Sequence, residues 1–341
     1  MPCLALFVQV FFVIFSCDGS WVGQSFPVDS VHTIDCQYAD HSWVACAYLV
    51  VEDGRATFIE TNTTHAVPLL LTKLEELGIP REKVDYVIIT HVHLDHAGGA
   101  SALLQACPNA KLLAHPKAAR HMVHPERLIE SSKLVYGEET FMKLYGQIDP
   151  IEESRVKVML DGETLSWGKR NFTFLYTRGH ANHHFCIFDS QTNAIFTGDS
   201  FGIAYPKLEG GRQFIFPTTT PTDFHAEEAQ RSLDLIVNTG ATCAYLTHFG
   251  GIENLKAHAK FLSKGIVLSQ SAILEAKKMD SNGYQFTKEE LRLFFESKVK
   301  DMISQLANEQ KVNITAKDWK MLDLDVKLNA QGLLFAFQRN T

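Results

Sequence analysis

The stretch VDYVIITHVHLDHAGGA, residues 84–100, holds four side chains of the kind that bind metals within six positions. The apolar, β-branched residues before them indicate a buried strand, and the two glycines after them let the backbone turn into a helix. His91 and His93 are two positions apart, so both imidazoles lie on the same side of an extended chain. Asp95 and His96 follow directly. Imidazole and carboxylate together favour zinc, iron or manganese over calcium or magnesium.

The same pattern recurs at three later strand ends. The segments FTFLYTRGHANHH, AIFTGDS and CAYLTHFGG each contain a short apolar strand, then a turn with threonine or glycine, then a ligand-type residue: His180, Asp199 and His248. One histidine after one strand is weak support for a site. The joint occurrence, strand end by strand end, places all seven groups along one edge of the predicted sheets, where they can converge on metal ions.

The composition is that of an ordinary globular protein with a large core, since 45% of the 341 residues are hydrophobic and 21% are charged. A net charge of −7 argues against a surface that follows nucleic-acid phosphates, so the expected partner is a small-molecule substrate. The seven cysteines are scattered, odd in number and without a CxxC pair. They predict neither a disulfide framework nor a thiolate zinc site.

Strand and helix patterns alternate over residues 30–264. WVACAYLVV and ATFIETN are β-rich runs on either side of EDGR, which predicts a hairpin, and AVPLLLTKLEELGIP has helical spacing. This mixture predicts a layered α/β domain whose sheets are not purely parallel. Residues 265–341 predict a helical extension whose apolar stripe packs on the main body, with a homodimer contact as an alternative use. Capping boxes begin two of its helices, at Thr287 with Glu290 and at Thr315 with Asp318.

The N-terminus has an apolar, uncharged run over residues 4–17, shorter than the roughly 20 residues that a spanning helix needs. It is typical of the apolar region of a secretory signal peptide, with small residues following it, although no lysine or arginine precedes it. We therefore expect residues 1–25 to be a signal peptide that exports the protein. The alternative is a translation start placed too far upstream, in which case the protein is cytoplasmic. A stable transmembrane span is not expected.

The motifs THVHLDHAGG, GHANHH, TGDS and LTHFGG resemble the successive ligand motifs of the metallo-β-lactamase superfamily, over about residues 30–255. The absence of cysteine from the ligand positions is similar to the branch of glyoxalase II and the lactonases, and the segment after TGDS resembles a poorly characterised subgroup. The resemblance implies a four-layer αββα sandwich with two metal ions at the edge between its sheets. His91, His93 and His180 would hold one ion, Asp95, His96 and His248 the other, and Asp199 would bridge them.

This resemblance implies a hydrolase of a small lactone, ester, thioester or amide, with two divalent ions, zinc being expected and iron or manganese being alternatives. Two such ions lower the pKa of a shared water from 15.7 toward about 7, which supplies a metal-bridging hydroxide. Asp95 would act as both ligand and catalytic proton acceptor. Glu60 is predicted to orient an imidazole. We expect substrate contacts from His183, His184 and Tyr205, with packing as the alternative role of the two histidines.

The chain also departs from the family pattern. Arg178 stands where proline usually precedes the Gly-His pair, and Tyr205 is the nearest equivalent of a lactonase tyrosine. With Lys207 and Arg212, Tyr205 predicts a pocket wall with cationic tips, suited to a substrate that carries a carboxylate. An iron-dependent redox enzyme, either a sulfur dioxygenase or a diiron enzyme, is the alternative on the same fold. Sulfur dioxygenases leave the second metal position empty, and flavin-linked diiron proteins have glutamate at the position of His93.

Overall fold

The computed structural model describes residues 12–15, 21–24, 30–206, 208, 213–219 and 223–339. Most of the predicted signal segment, residues 1–25, lies outside the described residues, as do Lys207 and Arg212. Two short strands near the N-terminus pair antiparallel with each other: β1 (Phe12–Phe15) and β2 (Trp21–Gln24).

Two six-stranded sheets form the centre of the molecule. The first sheet has the order β3-β4-β5-β6-β7-β8, antiparallel up to β5 and parallel from there on. Its strands are β3 (Ser30–Asp35), β4 (Cys46–Glu52), β5 (Arg55–Ile59), β6 (Val84–Ile88), β7 (Lys111–Ala114) and β8 (Val156–Val158). The predicted hairpin is the β4–β5 pair, and the mixture of parallel and antiparallel strands is as expected from the sequence.

The second sheet has the order β14-β13-β12-β11-β10-β9. Its strands are β9 (Thr164–Trp167), β10 (Arg170–Tyr176), β11 (Phe185–Asp189), β12 (Ala194–Gly198), β13 (Cys243–Leu246) and β14 (Gly250–Glu253). Strands β10 and β12 both run antiparallel to β11 between them, and β13 runs parallel to β12. The carboxyl ends of β10, β12 and β13 therefore meet at one edge of this sheet.

Helices cover the outer face of each sheet. On the first sheet lie α1 (Val67–Glu76), α2 (Leu94–Ala97), α3 (Ala100–Ala106) and α4 (Pro116–Val123). Outside this layer, α5 (Glu126–Tyr136) packs on α4 and on α6 (Glu138–Tyr145). On the second lie α7 (Ala226–Asn238), α8 (Leu255–Ser281), α9 (Lys288–Glu309), α10 (Ala316–Met321) and α11 (Asp323–Arg339). One apolar layer fills the space between the two sheets. A second layer joins the first sheet to its helices, and a third joins the second sheet to its helices. The predicted four-layer αββα sandwich is confirmed.

The C-terminal helices are continuous with the helical layer on the second sheet. The boundary predicted between residues 264 and 265 falls inside α8, which runs unbroken from Leu255 to Ser281. Its buried residues, together with those of α9 and α11, share one apolar cluster with the second sheet. The sequence suggested a break because the family motifs end near residue 255, but burial of one continuous apolar face keeps the helix intact.

The helix starts predicted for the C-terminal region are present in the structure. Both predicted capping boxes are formed, at Thr287 with Glu290 and at Thr315 with Asp318. Gly265 lets α8 approach the segment that follows the second-sheet strand β12, because a Cβ there would lie 2.5 Å from the Pro217 side chain. No helix in the described ranges is both long and apolar enough to cross a membrane.

Candidate metal centre

Three histidine nitrogens converge at the edge between the two sheets. His91 and His93 follow β6 in the first sheet, and His180 follows β10 in the second. The His91 Nε2 atom lies 2.8 Å from His93 Nδ1, which lies 3.1 Å from His180 Nε2. His91 and His180 are buried and His93 is half-buried. We call these three residues the His91 group, and their nitrogens are close enough to share one metal ion.

A second group lies beside the first. It consists of Asp95 and His96, at the short helix α2, and His248, which follows β13. The His248 Nε2 atom lies 3.4 Å from Asp95 Oδ2, which in turn lies 3.8 Å from His96 Nε2. These three residues, the His248 group, could also hold one metal ion. The four ligand-type residues of the motif HVHLDH are thus divided equally between two groups.

Asp199 stands between the two groups, at the end of β12. Its Oδ2 atom lies 3.5 Å from His180 Nε2 in the His91 group. Its Oδ1 atom lies 3.3 Å from His96 Nε2 and 3.8 Å from His248 Nε2 in the His248 group. One carboxylate oxygen therefore faces each group, which is the arrangement that a bridging ligand requires.

The chemistry of these residues fits divalent cations. The buried atoms His96 Nε2 and Asp199 Oδ1 lie 3.3 Å apart, but neither makes a hydrogen bond among the described residues. Unpaired buried polar atoms are costly. Burial lowers the pKa of His248, but the carboxylates of Asp199 and Asp95 outweigh it and raise this pKa to about 9. The carboxylates of Asp95 and Asp199 thus favour a cation in this pocket, and the histidines supply imidazole nitrogens around it. This N/O donor set suits zinc, iron or manganese.

Glu60, the residue after β5, holds His96 in place. Its buried carboxylate lies 3.1 Å from His96 Nδ1, so the Nε2 atom points toward Asp199. The same carboxylate accepts hydrogen bonds from the Thr90 backbone amide, at 3.3 Å, and from the Thr247 hydroxyl, also at 3.3 Å. Such contacts fix the orientation of a ligand imidazole. Glu60 also lies close to His91 and His96, and these three residues form a third set of side chains that could hold a metal ion.

The remaining ligand histidines are oriented by residues close to them. The His91 Nδ1 atom lies 3.0 Å from the hydroxyl of Thr90, and His248 Nδ1 lies 2.9 Å from the backbone carbonyl of Val44. A threonine directly precedes both His91 and His248. Thr90 contacts His91 itself, whereas Thr247 donates to Glu60, so the repeated Thr-His pair is a sequence signal for contacts around the ligand-type residues. The carbonyl of Val44, about 200 residues from His248, has no such signal.

The three predicted substrate residues occupy different environments. His183 is half-buried, stacks on His91 with ring centroids 6.0 Å apart, and its Nδ1 atom accepts a hydrogen bond from the Val92 backbone amide at 3.4 Å. His184 is fully buried, with Nδ1 2.7 Å from the Thr177 hydroxyl and Nε2 accepting the Asp199 amide at 3.3 Å. It therefore holds the strand ends rather than lining the opening.

Tyr205 is also buried, and its hydroxyl donates a hydrogen bond to Asp325 Oδ1 at 3.1 Å. Asp325 belongs to α11 of the C-terminal extension, and burial raises its pKa to about 6. Sequence patterns do not indicate that this helix reaches the segment after Asp199, because the contact joins residues 120 positions apart.

The chain belongs to the metallo-β-lactamase superfamily, whose sequence profile matches residues 44–248. It is 24% identical over 216 residues to the metallo-beta-lactamase fold-containing protein ST1585 of Sulfurisphaera tokodaii, a match that covers 61% of this chain and 76% of the relative. The crystal structure of ST1585 superposes with a TM-score of 0.61 at 21% identity, covering 90% of this chain and 99% of that one. This likeness concerns the fold.

Shorter matches reach enzymes of two reaction classes. Hydroxyacylglutathione hydrolase of Francisella tularensis is 25% identical over 118 residues, which are 35% of this chain and 34% of the relative. Rubredoxin-oxygen oxidoreductase of Megalodesulfovibrio gigas is 34% identical over 132 residues, which are 39% of this chain and 27% of the relative. The superfamily therefore includes hydrolases and oxidoreductases among the relatives of this chain, and its fold binds divalent metals.

Proposed function

We propose that this protein is a dinuclear metal hydrolase, with zinc as its metal, that cleaves a small lactone, ester, thioester or amide. The observation that carries the proposal is the position of Asp199, with one carboxylate oxygen toward each of the two ligand groups. The match to hydroxyacylglutathione hydrolase, although it covers a third of the chain, supports a hydrolytic reaction.

The His91 group would hold one ion and the His248 group the other, with Asp199 between them. When bound, two divalent ions polarise a carbonyl and lower the pKa of a water molecule. The protein's own residues supply the setting for that chemistry. Glu60 keeps a proton on His96 Nδ1 and leaves Nε2 free for a ligand bond. Burial of His91 and His96 excludes bulk water from the inner side of the site.

Asp95 is suited to accept a proton during the reaction. Its side chain is 26% exposed, whereas that of Asp199 is 8% exposed. The pKa of Asp95 is held well below its usual range, because His96 and His248 outweigh the opposing effect of burial. Asp95 is ionised at neutral pH, although the lowered pKa makes it a weak base. Its greater exposure than Asp199 is the reason that its Oδ2 atom is the proposed proton acceptor.

The proposal is tested by metal content and activity measured together. The purified protein should contain about two zinc ions per chain and hydrolyse at least one member of a panel of lactones, thioesters, esters and amides. His93→Ala and Asp199→Ala should lose metal and hydrolysis together, because each removes a group from the site. His124→Ala, at an exposed histidine, should change neither. An active, metal-free His93→Ala variant would overturn the mechanism.

An iron-dependent redox enzyme is the second candidate. The 34% identity over 132 residues to rubredoxin-oxygen oxidoreductase favours it. Both candidates use N/O ligands that accept iron as well as zinc. Near-stoichiometric iron in the purified protein, together with oxygen consumption by the reduced protein and no hydrolysis, would select this candidate.

A further inference from the structure

The backbone at Arg178 is fixed in place beside the candidate metal centre. Its backbone carbonyl accepts a hydrogen bond from the Ser232 hydroxyl at 2.6 Å, and the carbonyl of the next residue, Gly179, accepts one from the His225 amide at 3.0 Å. Gly179 has a φ of +108°, and a Cβ there would collide with the backbone of Ala229 in α7. The strand end is therefore clamped to α7, while the Arg178 side chain is exposed.

Arg178 borders two neighbouring cavities. The inner cavity is also lined by His180 and Asp199 of the metal centre and holds about 20 Å³, which is room for one or two water molecules. The outer cavity is also lined by Asp161 and Tyr176 and holds about 200 Å³. Arg178 and Ser232 are the two residues that line both cavities, so the Arg178 side chain lies between the metal centre and the outer cavity.

Arg178 shares the outer cavity with the carboxylates of Asp161 and Glu228 but makes no direct ion pair with either in the described ranges. Glu228 is paired with Arg231 at 2.6 Å, and Asp161 accepts a hydrogen bond from the Tyr176 amide at 2.7 Å. In the described part of the chain, Arg178 has no carboxylate within ion-pair distance.

Helix α4 adds further positive charge on the same side of the site. Lys117 and Arg120 are exposed, and neither makes an ion pair within the described ranges. Lys117 and Arg178 both lie near His115, whose pKa is lowered to about 4 by burial and by these two cations. The His115 ring in turn packs on Tyr176, with centroids 4.2 Å apart. The carboxylates of Asp161 and Glu228 are therefore outnumbered on this side of the site by four cations, Arg178, Arg231, Lys117 and Arg120, in a chain of net charge −7.

We propose that the substrate carries a carboxylate and that the Arg178 guanidinium binds it in the outer cavity. The inference rests on the proposed hydrolase function and specifies its substrate class. Guanidinium is the side chain whose planar donors match a carboxylate in a two-bond arrangement. Lys117 and Arg120 lie farther out and attract the anion toward the opening. Arg178 thus determines specificity, while the bond cleavage itself occurs at the metal centre.

The test uses the metal-loaded full chain and pairs of substrates. One member of each pair carries a carboxylate away from the scissile bond, and the other carries a neutral carboxamide at the same position. Arg178→Gln should raise KM for the acid about 10- to 100-fold, the range expected for a lost charged hydrogen-bond pair. It should leave kcat for the acid, and both constants for the amide, within about twofold. Arg178→Lys should recover part of the loss. Arg81→Gln, at the opposite edge of the first sheet, should match the wild type.

A second readout does not depend on turnover. Isothermal titration with succinate and with inorganic phosphate should show succinate binding that weakens at least tenfold in Arg178→Gln but not in Arg81→Gln. Tighter binding of phosphate than of succinate, with the same dependence on Arg178, would overturn the carboxylate assignment in favour of a phosphate. An equal effect of Arg178→Gln on the acid and the amide would overturn the specificity role while the hydrolase function stands. If the wild type hydrolyses neither substrate, the titration still decides whether Arg178 binds anions.

Discussion

Replacing Asn329 by alanine removes the main polar link between α11 and the segment that follows Asp199. The Asn329 side-chain oxygen accepts the Thr219 backbone amide at 2.6 Å, and the Thr219 hydroxyl donates to the Asn329 backbone carbonyl at 2.8 Å. Asn329 is 2% exposed and Thr219 is 1% exposed, so water cannot replace the lost bonds. This segment includes Gly202, which borders the inner cavity beside the metal centre.

The expected cost follows from the bonds that are lost. The substitution leaves the buried Thr219 amide without a partner, which costs about 1–3 kcal/mol, and it also removes the bond from Asn329 Nδ2 to the Asp325 carbonyl at 2.8 Å. The Thr219 hydroxyl keeps its bond to the backbone carbonyl of Asn329. We therefore expect the free energy of unfolding to fall by about 2–3 kcal/mol.

Urea unfolding of the full chain measures this loss. Asn308→Ala is the matched control, because Asn308 is exposed on α9 and should change the free energy of unfolding by less than about 0.5 kcal/mol. Hydrogen exchange provides a local measurement, since the Thr219 amide should exchange at least tenfold faster in Asn329→Ala. Equal stability of the two variants, with unchanged exchange at Thr219, would refute the link between α11 and the site.

Three further changes probe other parts of the molecule. Glu60→Gln should weaken metal binding about 10- to 100-fold, measured by competition with a chelating dye, and an unchanged affinity would contradict its orienting role. Arg170→Ala leaves the buried carboxylates of Glu52 and Asp189 unpaired and should cost about 3–5 kcal/mol in urea unfolding; a loss below about 1 kcal/mol would show that the triad is not coupled. His115→Gln tests pH dependence. Because the folded-state pKa of His115 is lowered to about 4, the unfolded chain gains a proton first as pH falls below about 6.5. Wild-type stability should therefore fall relative to the variant between about pH 6.5 and 4, and a constant difference would contradict this assignment.

The sequence predicted the parts of the site whose signal is short in range. Four ligand-type residues within the motif HVHLDH follow one strand, and their spacing alone places them together. His180, Asp199 and His248 were found because each follows a recognisable apolar strand. Glu60 could be singled out as a carboxylate at a strand end, but only the folded chain shows that it contacts His96.

The family resemblance implied the division of the ligand-type residues into two groups, but the spacing in this sequence does not show it, and only the tertiary structure brings the members of each group together. His93 lies near His180 because β6 and β10 belong to different sheets that end at the same edge. The contacts of Asp325 and Asn329 with Tyr205 and Thr219 were not visible in the sequence. Periodicity and spacing report what neighbouring residues do along a strand or helix. Contacts across more than 100 positions depend on how whole elements pack, which the sequence does not display locally.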